Sequence, residues 1–177
     1  MKLIGITGRK KSGKDTAARA LITEGYWPLR FAGGLKAMVA CLLTYMGIEP
    51  ATIEKMIDGD LKEMPFPYLE GKSCRQIMQT LGTEWGRDCV GRDLWVHICM
   101  ERAKSYDKVV VTDVRFKNEE KAIREAGGKI VKIERPTLVR DDHPSEAIDK
   151  IHPDLIIMNT GTIKYLQEKI TEYARRN

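Results

Sequence analysis

Residues Gly8 to Thr16 read GRKKSGKDT, with the Gly-x4-Gly-Lys spacing of a phosphate cradle. In such a turn successive backbone N–H groups and a helix N-terminus converge on phosphate oxygens. Lys14 adds a mobile positive charge able to follow a phosphoryl group in transfer. The candidate phosphate contacts are therefore Gly8, Lys11, Ser12, Gly13, Lys14, Asp15 and Thr16. Where a magnesium-binding Ser or Thr usually follows the lysine, this chain has Asp15, with Thr16 one place later. A carboxylate can bind magnesium directly or through water, and a first-turn acid also suits the helix dipole, so Asp15 stands open between the two roles.

A second acid lies where such a site would want it. KVVVTDVR places Asp113 at the carboxyl end of an apolar run, the position from which phosphoryl-transfer proteins hold magnesium, and Arg115 follows within reach of a phosphate. The densest charged stretch is RQIMQTLGTEWGRDCVGRDLW, from Arg75 to Trp95. Guanidinium groups bind phosphate bidentately, carboxylates accept from base or sugar donors, and indoles stack on bases, a set that describes a nucleoside monophosphate. Candidate substrate contacts are Arg75, Glu84, Trp85, Arg87, Asp88, Asp93 and Trp95, joined by Lys36 at the start of the preceding helix. Trp85 falls at helical spacing with Ile77, Met78 and Leu81, so core packing is an equal reading of it. Further on, Arg135 and Arg140 can clamp phosphates, and Asn159 is suited to the adenine edge of a donor nucleotide. Asp141, Asp142, His143 and Glu146 read as loop-shaping residues.

The elements that must position these groups alternate. Strands are expected at Leu3 to Thr7, Trp27 to Phe31, Val109 to Asp113, Lys129 to Glu134 and Leu155 to Met158, separated by helical patterns. That alternation implies an α/β fold with a central parallel sheet of about five strands covered on both faces, a three-layer arrangement. Helices are expected from Ala17 toward Gly25, over Gly34 to Met46, from Ser73 with Gln76 as a capping box, over Asp93 to Lys104, from Asn118 as a cap through Ala126, and from Thr162. The turn-rich segment from Glu54 to Lys72 reads as a mobile loop. Residues of approximately 33–107 form a mainly helical insertion suited to an acceptor, and approximately 136–153, bounded by prolines, are placed like a lid, all within a single domain over 1–177.

Composition narrows the classes. At 177 residues the chain can bury a genuine core. No apolar run approaches the roughly 20 residues that cross a bilayer, and no signal-peptide pattern precedes KLIGIT, so a soluble, cytoplasmic protein is expected. Cys41, Cys74, Cys89 and Cys99 have no CxxC or metal-finger spacing and read as reduced thiols. The formal charge is +5, and Met1 to Lys36 holds eight Lys and Arg against Asp15 and Glu24. Around a phosphate loop that excess favours a small polyanion over nucleic acid as the main ligand.

With these pieces in order the chain resembles the deoxynucleoside monophosphate kinases of tailed bacteriophages. The resemblance rests on GRKKSGKDT, FAGGLK, RQIMQTLGTEWGRD followed by GRDLWV, VVVTDVRFKNEE, HPSEA and IIMNTGT. It implies a P-loop kinase fold, ATP and Mg2+ as donor and metal, a dNMP as acceptor, and a role in supplying DNA precursors for phage replication in the host cytoplasm. On that reading Lys14, Asp113, Arg115 and Arg140 act on the transferring group, and Asp15 and Asp113 hold the metal. A homodimer stays open. GRKKSGKD also looks like the loop of animal-type phosphomevalonate kinases. A nucleotide-binding switch protein is the reading from another class, though the chain lacks an Asn-Lys-x-Asp element for guanine.

Overall fold

The alternation of apolar runs with helical stretches produces five parallel strands in the computed structural model, which describes residues 1–136 and 146–176. They are β1 (Lys2–Thr7), β2 (Trp27–Leu29), β3 (Lys108–Val111), β4 (Lys129–Glu134) and β5 (Leu155–Met158), in the sheet order β2-β3-β1-β4-β5. Every neighbouring pair is parallel, with Ile4 opposite Val110 on one side of β1 and Ile6 opposite Val131 on the other. The most fully buried strands, β1, β3 and β4, sit at the centre, as a sheet covered on both faces requires. The edge strand β2 is three residues long and carries Pro28, which blunts further pairing.

The chain divides into two compact units, Met1–Phe31 with Cys99–Asn177, and Ala32–Ile98. In the first, α1 (Lys14–Thr23) and α8 (Ile163–Arg176) cover one face of the sheet. Ile4, Ile6, Val110, Val131, Ile133 and Ile157 meet Ala17, Leu21, Leu166 and Ile170 there. On the opposite face α6 (Lys117–Glu125) brings Ile123 against β1 and β4, where Gly5 leaves room for it. Between β4 and β5 lies the four-residue α7 (Glu146–Asp149). Glu120 of α6 is nearly buried yet paired with Lys117 and Arg124, and it accepts the backbone N–H of His152. Arg124 also grips Asp154, whose carboxylate accepts Ile130 N–H, so the charges inside this network are matched.

The second unit is helical: α2 (Gly33–Tyr45), α3 (Pro50–Ile57), α4 (Cys74–Thr80), a π-helix over Leu81–Val90, and the first half of α5 (Leu94–Ala103). Its core joins Leu35, Val39, Leu43, Ile53, Met56, Ile57, Cys74, Met78 and Trp95. Ser73 caps α4 in the expected capping box, its hydroxyl accepting Gln76 N–H while the Gln76 side chain accepts Ser73 N–H.

Two local expectations change. The Glu54–Lys72 stretch is not featureless loop: Glu54–Ile57 completes α3, and 3-10 turns at Asp60–Glu63 and Pro67–Leu69 seat Leu61, Phe66 and Leu69 on the core. Asn118 lies inside α6; the helix is opened by Glu119, whose carboxylate reaches back to the N–H groups of Arg115 and Phe116 at 2.7 and 3.1 Å. A carboxylate accepting two N–H groups outcompetes a neutral amide at this end. No helix among the described residues is long and apolar enough to cross a membrane.

Leu21 is fully buried between α1 and the sheet. Leu21→Ala is expected to cost about 2–5 kcal/mol, through lost transfer energy and the cavity left behind. Urea denaturation followed by circular dichroism reads it as a lowered midpoint; a midpoint equal to the parent's would show that this layer does not carry the fold.

Candidate functional site

The turn after β1 needs backbone that curls its N–H groups inward, and three residues there take left-handed φ: Gly8 at 141°, Lys11 at 64° and Gly13 at 107°. At Gly8 a Cβ would run into the carbonyl oxygen of Ile133, and at Gly13 it would lie 2.5 Å from Asn159 Nδ2. Glycine is required at both positions by crowding as well as by φ. The loop then closes on its own lysine. Lys14 Nζ donates to the carbonyls of Gly8 and Arg9, each at 2.6 Å. Burial, reinforced by Arg115 and opposed by Asp15, lowers the Lys14 pKa to about 8. Lys14, Asp15 and Arg115 are therefore brought together electrostatically.

Ser12 is the most informative atom of the loop. Its hydroxyl is buried and, among the described residues, is the buried side-chain polar atom without a hydrogen-bond partner. Ser12 N–H donates to Arg9 O, and an orphaned buried hydroxyl in a turn of this kind fits a phosphate ligand. Asp15 and Lys11 are exposed, and Thr16 is half-buried on the first turn of α1.

Asp113 stands two residues beyond the end of β3 and is held from three directions. Thr112 N–H donates to Leu29 O and Val114 N–H to Ile6 O, pinning the backbone on either side between β2 and β1. The Asp113 carboxylate accepts Phe31 N–H at 2.8 Å. Thr7, which leads into the phosphate loop, donates its hydroxyl to Val114 O at 2.8 Å. The acid is thus fixed at the carboxyl edge of the sheet, the edge on which open α/β sheets bind ligands.

Asn159 follows β5, and its amide donates to Ser12 O at 2.9 Å. It braces the phosphate loop, a structural contact that the expected adenine-edge role did not include. Arg9, also missed, pairs with Asp149 of α7 at 3.2 Å; its only sequence signal was a place inside the motif. Arg135 is exposed after β4. Arg140 lies outside the described residues, as do Asp141, Asp142 and His143.

Within the helical unit, Lys36 pairs with Asp58 and Arg75 with Glu63 at 3.0 Å. Lys62, not singled out from sequence, joins them: burial lowers its pKa, Lys36 and Arg75 add to the shift, and Asp58 and Glu63 oppose it. Glu84, Trp85, Arg87 and Asp88 all ride on the π-helix, with Glu84, Trp85 and Asp88 exposed and Arg87 half-buried; Asp93 is half-buried just before α5. Trp95 is placed otherwise. It is 4% exposed, and its indole N–H donates to Gly82 O at 2.8 Å, so it packs in the core and offers no open face for stacking. Among the described residues no three His, Cys, Asp or Glu side chains form a metal cluster.

The Lys14 shift has a definite sign in stability. Below pH 8 the ammonium is protonated both folded and unfolded, and the cost of burying it is fully present. Between pH 8 and 10.5 the folded chain gives up that proton while the unfolded chain keeps it, so stability rises. The thermal midpoint of the parent, measured relative to Lys14→Met, is expected to climb across that window and to stay level between pH 6 and 7.5. A constant difference from pH 6 to 10.5 would contradict a buried, charged Lys14.

The geometry can be set beside known proteins. Among solved structures, shikimate kinase from Aquifex aeolicus superposes with a TM-score of 0.56 at 15% identity, covering 99% of this chain and 96% of that one. Dephospho-CoA kinase from Campylobacter jejuni gives 0.51 at 14%, covering 99% and 97%. These likenesses establish the fold. By sequence, a protein of Acanthamoeba polyphaga mimivirus described as a deoxynucleotide monophosphate kinase is 34% identical, covering 96% of this chain and 94% of its own length. The deoxynucleotide monophosphate kinase of Enterobacteria phage T4 is 27% identical, covering 96% and 97%, over an alignment of 235 positions that exceeds this chain's own length. The family described as deoxynucleotide monophosphate kinase matches residues 49–170, including most of the helical unit that a generic phosphate loop would not predict. The chain belongs to the deoxynucleotide monophosphate kinase family.

Proposed function

We propose that this chain transfers the γ-phosphoryl group of ATP to the phosphate of a deoxynucleoside monophosphate, with Mg2+ bound beside the donor. A phosphate oxygen of the acceptor forms the new bond to the γ-phosphorus, the bond to the β–γ bridging oxygen breaks, and ADP leaves. The observation that carries the donor side is the loop closed on Lys14 around the unpartnered Ser12 hydroxyl. A bound triphosphate would give Ser12 its partner and offer the Lys14 ammonium phosphate oxygens in place of the loop's own carbonyls. Loop N–H groups from Gly8 to Thr16 would hold the β- and γ-phosphates, and Arg115 would spread the charge developing in transfer. Asp15 and Asp113 supply the hard oxygen donors that magnesium prefers; the ion, when bound, neutralises charge on the donor phosphates. Arg135 and Arg140 would add positive charge to the same phosphates. For the acceptor, the proposal assigns Arg87 and Arg75 to the phosphate, Lys36 to the same anion, and Glu84, Trp85, Asp88 and Asp93 to base and sugar.

Products of this reaction supply precursors for DNA synthesis, which for a phage-type enzyme places it in the host cytoplasm. The reading is tested by coupled ADP release across the four dNMPs and their ribonucleotide counterparts, with ATP and Mg2+. Turnover with at least one dNMP is expected; no turnover with any of them, from folded protein that binds ATP, would overturn it.

Asp113→Asn keeps the shape of the side chain and its ability to accept Phe31 N–H, but removes the charge a hydrated metal needs. It is expected to raise the Mg2+ concentration required for half-maximal activity by about tenfold or more, with little change in thermal stability. An unchanged magnesium titration would leave Asp113 a structural role.

Arg87→Lys retains charge and discards the planar fork that matches a phosphate. The apparent KM for the dNMP is expected to rise about tenfold, the equivalent of about 1.4 kcal/mol, while the KM for ATP stays within twofold. Equal changes in both constants would remove Arg87 from the acceptor site.

A further inference from the structure

The ten residues Leu81–Val90 form a π-helix, with Gly91 N–H closing an i→i+5 bond to Gly86 O at 3.0 Å. Such helices are rare and mostly single-turn, so a run of this length needs an external cause. Trp95 packs against this run. Its indole N–H is bonded to Gly82 O at 2.8 Å. Its ring lies so close to Gly86 that a Cβ there would stand 2.5 Å from Nε1 and 2.6 Å from Cζ2. Trp85 rests beside the same ring, with centroids 6.1 Å apart and planes tilted by 47°. One buried indole thus touches the π-helix at positions 82, 85 and 86.

We infer that Trp95 and Gly86 are positioning residues for acceptor recognition: the indole seated on the Gly86 backbone holds Leu81–Val90 in π geometry and so sets the directions of Glu84, Trp85, Arg87 and Asp88. This rests on the assignment of those four side chains to the dNMP. A π-helix has a wider turn than an α-helix, so side chains that would spread around a regular helix are re-aimed, and relaxation to α geometry would rotate each of them away from its partners. Trp95 takes no part in contact with substrate. It acts through the backbone of the segment that does.

The test exploits the size match between ring and glycine. Gly86→Ala places a methyl where the rigid indole stands, while Gly82→Ala places the same methyl against the flexible end of Leu35 at 3.3 Å. Both substitutions gain the same helix propensity, so their difference isolates the contact with Trp95. Gly86→Ala is expected to raise the KM for dNMP at least tenfold with the KM for ATP within twofold, and Gly82→Ala to move the dNMP constant less than threefold. Trp95→Phe loses the bond to Gly82 O and is expected to raise the dNMP constant alone, but its smaller ring makes room for a methyl. Gly86→Ala should therefore cost less in the Trp95→Phe background than in the parent, a negative coupling in a double-mutant cycle.

Kinetics are read well below each variant's thermal midpoint. If Gly86→Ala fails to fold, the Trp95→Phe constants and the double variant decide the matter. Lower stability with both constants unchanged, or equal rises for ATP and dNMP, would reduce Trp95 to core packing and overturn the inference. Absence of dNMP turnover in the parent is a separate result, and it would strike the assigned function instead.

Discussion

The backbone at residues 8–14 has to present its N–H groups to a single point, and that demand organises the sheet unit around it. A left-handed residue with a side chain costs on the order of 1 kcal/mol, as Lys11 does, and such a turn persists only when its surroundings over-determine it. The surroundings supply several independent ties. Lys14 bonds two carbonyls of the loop, Asn159 bonds a third, Leu166 of α8 approaches Gly13, and Ile133 of β4 closes over Gly8. The central position of β1 allows this, because both neighbouring strands can deliver residues to its carboxyl end.

Placement of the acid follows the same economy. Asp113 is not the last residue of a strand, yet the N–H groups of Thr112 and Val114 are bonded to two different strands. The carboxylate takes one of its hydrogen bonds from backbone, the N–H of Phe31. A group that must sit within tenths of an ångström of its target gains from such support. The helical unit solves its problem differently, with a buried aromatic ring as the template for an unusual helix.

Much of this was legible because the signals were local. The five strands lie where apolar runs placed them, with ends shifted by at most two residues; β3 stops at Val111 because the chain there turns its hydrogen bonds to both neighbours. Ser73 and Gln76 announced α4, since a capping box is written in four consecutive residues. What stayed hidden depended on distance along the chain. Trp95 could be read only as an aromatic residue in a charged stretch, and its seat against Gly82 and Gly86 belongs to tertiary packing. Nothing in LGTEWGRDCV distinguishes i→i+5 from i→i+4 bonding, because its apolar residues fit either period. Asn118 was a sound cap by residue type, but Glu119 one place later offered a charged acceptor. Glu54–Lys72 carries turn-forming residues throughout, and the pull of Leu61, Phe66 and Leu69 toward a core outweighed them.

The bond from Asn159 to Ser12 joins residues 147 positions apart. The glycine-rich turn leaves the ribosome well before the strand and amide that brace it. A nascent chain lacking β5 therefore carries the whole phosphate motif without the contact that steadies it.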